Sequence, residues 1–247
     1  MMMVEFSPDL IRALRVARHI AVLTGAGVSA ESGIPTFRDA QVGLWAQYRP
    51  EDLATPQAFA RNPKLVWDWY AWRREIVRNA RPNPGHYALA EMQQHVAQFS
   101  LITQNVDGFH QLAGSADVIE LHGNIMRTKC SREDVVINQW VETGETPPPC
   151  PRCGAYLRPD VVWFGEMLPA AALEAAAQAA NTCAVFFSIG TSGLVEPAAS
   201  LARIALQRGA AVIEINPTIT PLSSRATFVL QGASGEVLPE LVKTVWG

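Results

Sequence analysis

What this chain lacks narrows it before any motif does. It has no run of lysine or arginine, and 20 basic residues against 23 acidic ones leave a net charge of −3, so nothing in its charge favours direct binding to nucleic acid. It has no apolar stretch near the ~20 residues of a membrane-spanning helix, and no membrane partner is expected. Arg12, Arg15 and Arg18 do precede an apolar run at 20–23. That run is shorter than the roughly 7 to 15 apolar residues of a secretory signal, and glycines interrupt the chain just beyond it. Cysteine is scarce as well: there are four, of which Cys150 and Cys153 form a C-x-x-C. Such usage points to a reducing, cytoplasmic setting and a metal site rather than to disulfides. No internal repeat is visible, and 247 residues with 49% hydrophobic and 17% charged content suffice for one large domain or a domain with an inserted lobe.

What is present begins with a glycine-rich loop behind a short apolar run. Residues 20–23 stop at Gly25-Ala26-Gly27-Val28-Ser29-Ala30, where small residues let backbone N–H groups close on a pyrophosphate near a helix N-terminus. The segment fits the G-x-G-x-x-G/A fingerprint in its alanine-tolerant form, but no strand ending in an acidic residue follows about 20 residues on. Instead Ile34-Pro35-Thr36-Phe37-Arg38-Asp39 supplies a proline break, a cation and a carboxylate, as a loop over a phosphate-bearing ligand would.

Short runs rich in Val, Ile and Phe at 20–23, 99–103, 118–120, 184–189, 211–215 and 227–230 read as buried strands. Helical patterns cover 84–98, the Ala-rich 170–181 and 197–208. This alternation predicts an α/β fold, a Rossmann-like parallel sheet with helices on both faces. Residues 34–80, with a tryptophan-rich helix, and 126–159, with three cysteines and Pro147-Pro148-Pro149, break the alternation. We read 1–33, 81–125 and 160–247 as the Rossmann-like domain, 34–80 as a loop and helical insertion, and 126–159 as a zinc-ribbon-like insertion; together the insertions form a smaller lobe.

Several groups fall where a doubly wound sheet binds ligands, beyond the C-terminal strand ends. Gln104, Asn105, Val106 and Asp107 follow 99–103; their amide and carboxylate groups suit ribose hydroxyls and a carboxamide, although Asn-Val-Asp-Gly also reads as a plain turn. His122 follows 118–120, and Gly123 leaves room beside it for a substrate. A neutral imidazole there serves as a general base near pH 7, while a lone histidine also reads as structural. Cys150 and Cys153 are a zinc-knuckle half, with Cys130 separated from Cys150 by nineteen residues. The position three after Cys130 is Glu133, so Glu133, Asp134 or a water must complete a tetrahedral site, or the lobe is metal-free and held by packing. Cys183 reads as a small core residue. Tyr70 and Arg73 share a helix face and form a natural carboxylate receptor; the alternative is an aromatic core stripe with Arg73 solvated. Residues 161–166 form an extended apolar run that reads as a buried strand.

The first glycine motif, Thr103-Gln104-Asn105-Val106-Asp107-Gly108, Glu120-Leu121-His122-Gly123 and Gly190-Thr191-Ser192 occur together and in order. In this the chain resembles the sirtuins, NAD-dependent protein-lysine deacylases, from about Arg18 to Leu241. The resemblance implies NAD as a consumed co-substrate and acylated lysines of proteins as partners. It assigns catalysis to His122 and Asn105. It assigns NAD binding to Gly25, Ala26, Gly27, Ser29, Ala30, Glu31, the loop residues Pro35, Thr36, Phe37, Arg38 and Trp45, and Gln104, Asn105, Val106 and Asp107. Gly190, Thr191, Ser192, Asn216, Pro217 and Ser234 complete that set, with Ser234 replacing what is often Ala or Cys. Val162, Phe164, Gly165 and Glu166 line the acyl-lysine tunnel, where backbone pairing with the peptide tolerates many sequences. Cys130, Cys150 and Cys153 are the candidate zinc ligands. Tyr70-x-x-Arg73 resembles class III members, which prefer succinyl- and malonyl-lysine. Glu196 stands where relatives often carry Tyr. Two other classes share parts of this pattern, a Rossmann NAD(P) oxidoreductase and a non-catalytic acyl-lysine reader; the first requires a ribose-binding acid and the second the loss of His122 or Asn105.

Overall fold

Strands buried on both faces need continuous apolar runs, and the chain supplies them where the sheet is deepest. All six residues of β1 (His19–Thr24) and all five of β6 (Val185–Ile189) are buried. The structure, a computed structural model, describes residues 5–35, 47–141 and 144–247. In chain order its elements are α1 (Pro8–Val16), β1, α2 (Ala26–Ala30), α3 (Pro50–Leu53), α4 (Pro56–Arg61), α5 (Pro63–Asn79), α6 (Pro84–His95), β2 (Gln98–Thr103), α7 (Phe109–Leu112), β3 (Ile119–Glu120), β4 (Gly123–Cys130), β5 (Leu157–Val161), α8 (Ala170–Thr182), β6, α9 (Ser200–Gln207), β7 (Ala211–Asn216), β8 (Phe228–Gln231) and α10 (Ser234–Trp246).

Six strands form one parallel sheet in the order β3-β2-β1-β6-β7-β8. The half-exposed edge strands β3 and β8 are short, as edges that must not recruit other strands tend to be. One face packs α1, α6 and α10 through Leu10, Leu14, Leu89, Met92, Leu238 and Leu241. The other packs α8 and α9, where the alanines Ala176, Ala179, Ala180, Ala202 and Ala205 bring helices close to the sheet. Cys183 is buried in that second core and burial pushes its thiol up to about 11, an inert core residue as its position implied. Outside the main sheet, α4 and α5 pack with Trp163, Phe109 and Ile125 in a third core, and β4 pairs antiparallel with β5.

The six strands lie within a residue or two of their expected bounds, but three helical or extended readings need correction. The helix expected over 84–98 ends at His95, because β-branched Val96 turns extended and Gln98 N donates to Arg18 O (2.9 Å), beginning β2 beside β1. The helix expected from 197 starts at Ser200; residues 197–199 form turns closed by Ser200 N to Pro197 O (3.1 Å) and Leu201 N to Ala198 O (3.1 Å). The run 161–166 is strand only at Val161, after which Glu166 N donates to Trp163 O (3.0 Å) and turns the chain. Among the described residues no helix is long and apolar enough to cross a membrane.

Candidate active site

The chain runs outward from β1 to β3 and then crosses back to β6, so the strand order reverses between β1 and β6. Such a reversal opens a crevice at the C-terminal strand ends. The loops after these two strands interlock there: Gly25 N donates to Ile189 O (3.0 Å) and Gly27 N to Gly190 O (2.9 Å). Gly190 has φ +61°, and a Cβ on it would lie 2.5 Å from Val28 N, so neither its conformation nor its surroundings admit a side chain. Around this point the structure gathers Gly25, Ala26, Gly27, Ser29, Ala30, Gly190, Thr191 and Asn216, whose Nδ2 donates to Thr191 O (2.6 Å). Ser192 Oγ accepts from Leu194 N (3.4 Å), and Pro217 O accepts from Gln231 Nε2 (3.0 Å). Glu31 is committed elsewhere: its Oε2 accepts from Gly235 N (2.7 Å) and Ser234 Oγ (3.2 Å), tying α2 to the start of α10. Pro35 is the last described residue before the loop; Thr36, Phe37, Arg38 and Trp45 lie outside the described residues.

Beneath the glycine loop a buried polar network converges on Ser29. Asn83 caps α6, and its backbone N–H donates to His86 Nδ1 (3.2 Å), which leaves the proton of His86 on Nε2, 3.4 Å from Ser29 Oγ. Ser29 Oγ donates to Asp107 Oδ2 (2.8 Å) and accepts from Asn105 Nδ2 (3.1 Å), which also reaches Gly25 O (3.0 Å). Asp107 Oδ1 takes Phe109 N (2.9 Å); burial raises the carboxyl above its ordinary range while these two bonds oppose the rise. His110 Nε2 meets Thr24 Oγ1 at 2.9 Å. Desolvation pushes His86 down to about 4 and His110 to about 3, so both are neutral at physiological pH.

His122 stands across the crevice. Its Nδ1 lies 2.9 Å from Gln104 O; a carbonyl can only accept, so Nδ1 carries the proton and the Nε2 lone pair is free to act as a base. Burial holds the imidazole below its ordinary value, with the Gln104 bond opposing. Val106 O accepts from Ile125 N (2.8 Å). Gly123 does not leave open room as expected: a Cβ there would lie 2.2 Å from Asp160 O, because β4 pairs with β5 at this point. That pairing brings Val162 to His122, whose carbonyl accepts Val162 N (2.9 Å). Phe164, half exposed, is anchored through its N–H on Ala54 O (2.9 Å), and Gly165 turns the chain at φ +87°. Glu166 is held by Arg158 (2.6 and 2.9 Å) and by Trp163 N (2.8 Å), so its carboxylate fixes the turn.

Helix α5 is capped by Asn62, whose side chain accepts from Leu65 N (3.1 Å), and turns its adjacent arginines Arg73 and Arg74 to different tasks. Arg74 donates to Ile125 O (2.6 Å) and Thr128 Oγ1 (3.2 Å), pinning the helix to β4. Arg73 is buried, stacks on Trp69 at 5.1 Å, and lies in charge range of Tyr70 and Asp107, so the solvated-arginine reading fails. Tyr70 is buried and accepts from Trp163 Nε1 (3.0 Å), keeping its own proton for another acceptor; burial pushes its phenol up to about 12. Tyr70 and Arg73 are thus both buried on α5, with Asp107 within electrostatic range of Arg73.

The sulfurs of Cys130, Cys150 and Cys153 all lie within 4.8 Å of one another, with Cys130 and Cys153 at 3.4 Å. Two tight turns present them, closed by Asp134 N to Cys130 O (3.1 Å) and Gly154 N to Cys150 O (2.9 Å). Three soft thiolates suit zinc, but neither expected carboxylate joins them. Glu133 pairs with Arg152 (2.8 Å) and Asp134 with Lys129 (2.7 Å).

Sequence reading missed His86, His110, Asn83 and Arg74. Asn83-Pro84-Gly85-His86 carries a signal for the first of these, an N-cap and N1 proline with a side chain at the third helical position able to reach back. Arg74 and His110 have no such local signal, since their partners lie far along the chain.

The chain as a whole is similar to proteins of one family. The Sir2 family model matches residues 25–197. An NAD-dependent protein deacylase of Methylococcus capsulatus is 52% identical, over 98% of each chain. NAD-dependent protein deacylase 1 of Pseudomonas aeruginosa is 48% identical, over 95% of this chain and 97% of its own. Among solved structures, a Sir2 homologue in complex with NAD superposes with a TM-score of 0.90 at 49% identity, covering 98% of this chain and 94% of the other. A Sir2 bound to an acetylated peptide gives 0.85 at 28% identity, covering 97% and 98%.

Proposed function

The chain belongs to the Sir2 family and is an NAD-dependent protein deacylase, and from that premise we propose that it removes succinyl and malonyl groups, and acetyl groups as well, from protein lysines. One NAD and one water are consumed per acyl group, and the products are nicotinamide, O-acyl-ADP-ribose and free lysine. The observation that carries the acyl preference is the buried Tyr70–Arg73 pair beside Trp163, close to the anchored segment 162–166.

The residues fit NAD by their chemistry. Asn105 and Asp107 present amide and carboxylate groups to a carboxamide, and the crevice lies where a doubly wound sheet takes a nucleotide. When bound, NAD supplies an electrophilic ribose carbon and a neutral leaving group. In this reading Asn105 and Asp107, cross-braced through Ser29, fix the nicotinamide end. Gly25, Ala26, Gly27, Ser29, Ala30, Gln104, Val106, Gly190, Thr191, Ser192, Asn216, Pro217 and Ser234 take the rest of the cofactor, and the resemblance alone adds Glu31, Pro35, Thr36, Phe37, Arg38 and Trp45. His122, neutral and with Nε2 unprotonated, takes a proton from a ribose hydroxyl as the acyl group moves to the sugar. Val162, Phe164, Gly165 and Glu166 hold the peptide, and Arg73 and Tyr70 meet the acyl carboxylate. We further assign zinc to Cys130, Cys150 and Cys153. The division into a Rossmann-like domain (1–33, 81–125, 160–247) with insertions at 34–80 and 126–159, and a cytoplasmic location consistent with four free cysteines, belong to the same reading.

Mass spectrometry of acetyl-, malonyl- and succinyl-lysine peptides, incubated with purified protein with and without NAD, tests it. Acyl loss that requires NAD, matches released nicotinamide one for one and is fastest for the dicarboxylic acyl groups is the expected result. Efficient deacetylation with no succinyl or malonyl turnover would remove the acyl assignment and leave the deacylase.

A further inference from the structure

A second cavity lies on the opposite face of the sheet from the glycine loop, at the mouth of the core under α9. Its volume is about 240 Å³, below the ~300–1,000 Å³ of pockets for drug-sized ligands, so its occupant is small. Leu23 of β1, Ala202 and Leu206 of α9, and Leu222 from the loop after β7 give it an apolar floor. Ser188 and Thr191 add hydroxyls bonded to each other (2.9 Å), and the charged and amide lining is Gln104, Glu196, Arg203 and Arg225.

These four groups are not equally occupied. Glu196 accepts from the Ser200 hydroxyl (2.5 Å), and the same hydroxyl accepts from Arg203 (2.9 Å), so the carboxylate is turned onto the helix start. Among the described residues the Arg225 guanidinium and the Gln104 side-chain amide have no hydrogen-bond or ion-pair partner. Two cations outweigh one engaged carboxylate at the rim, and hydrocarbon lines the floor. A guanidinium recognises a carboxylate through paired N–H bonds, and a short carbon skeleton would cover the apolar floor that a bare inorganic anion leaves wet. We propose that this cavity is a second ligand site, for a small organic carboxylate held by Arg225 and Arg203 with its carbon skeleton on Leu23, Leu206 and Leu222.

The cavity shares Gln104 and Thr191 with the crevice, so the test must separate the two sites, and binding measured without turnover does so whether or not the deacylase reading stands. Benzoate is titrated calorimetrically into wild-type protein, with and without saturating NAD, and into Arg225→Gln and Arg73→Met. The expected Kd is at or below about 1 mM. It should weaken about tenfold or more in Arg225→Gln, as loss of a charge-assisted bond implies, and stay unchanged with NAD and in Arg73→Met. In crystals soaked with 4-bromobenzoate, anomalous scattering should place bromine between Leu23 and Leu222. Arg225 is exposed, so its replacement should leave the melting temperature unchanged and isolate binding from folding. The proposal is overturned by competition with NAD, by loss of binding in Arg73→Met, by bromine elsewhere, by phosphate binding as tightly as benzoate, or by no binding up to about 10 mM.

Discussion

Two neighbouring arginines on α5 have separate fates, and the difference carries the substrate reading. Arg74 donates into β4 and is structural, whereas Arg73 is buried beside Tyr70 and Asp107. In a site shielded from water, bonds from a guanidinium to a carboxylate are each worth roughly 1.5–3 kcal/mol, and an acetyl group forms none of them. Arg73→Met should therefore lower desuccinylation about 10- to 100-fold in kcat/KM, mostly through binding, and change deacetylation little. Tyr70→Phe should show a smaller loss of the same sign. Equal slowing of acetyl and succinyl peptides would make Arg73 structural and withdraw the preference, but not the family. His122 supplies the other residue-scale prediction. Its Nε2 is the free base and burial holds its pKa below the ordinary histidine value, so the acid limb of kcat/KM should have its midpoint below pH 6.5. His122→Ala should lose at least ~10²-fold in rate; near-normal turnover of that variant would refute the base.

At the scale of elements, the inserted lobe poses the clearest question. Two turns present three cysteines to one point, while Glu133, where a fourth thiolate would complete the set, is drawn off by Arg152. A carboxylate is a poorer zinc ligand than a thiolate, and the lobe also packs Ile137 and Leu157 against Cys130 and Cys150, so packing offsets part of the metal's task. Glu133→Cys should retain more zinc than wild type against a chelator, measured by elemental analysis. Absence of zinc from both forms would mean that packing alone holds the lobe. The cluster of Cys130, Cys150 and Cys153 was legible because C-x-x-C spacing is a local signal, and the buried strands were legible because their apolar runs are continuous. Helix ends were less so. Residues 96–98 and 197–199 leave the helical pattern because of bonds to Arg18 and within a turn, and periodicity does not record such partners. The room expected at Gly123 failed for a similar reason, since the strand that fills it, β5, follows a long insertion.

At the scale of the whole molecule, a polar network with two neutral histidines is buried where the sheet meets α6 and the glycine loop, and it couples stability to pH. The rings of His86 and His110 lie 4.9 Å apart, and burial pushes them down to about 4 and about 3. An unfolded chain protonates both near 6.5, while the folded one does not until pH falls to those lower values. Between 6.5 and about 4 the unfolded state thus binds more protons, and folding stability must fall with pH over that window. Each histidine contributes about 1.4 kcal/mol per pH unit, so the pair costs about 4 kcal/mol by pH 5, a large share of the ~5–15 kcal/mol that a domain has. Glu166, held below its ordinary value by Arg158 against the cost of burial, acts in the same direction at lower pH. Asp107, raised by burial, acts in the opposite direction and recovers part of the loss. Thermal melts from pH 7.5 to 5 should show a steep fall in Tm. His110→Gln, which keeps a side-chain donor toward Thr24 Oγ1 but cannot titrate, should flatten the slope whatever its Tm at pH 7.5. Parallel slopes for wild type and His110→Gln would mean that these histidines do not set the acid stability and that the carboxylate pairs do.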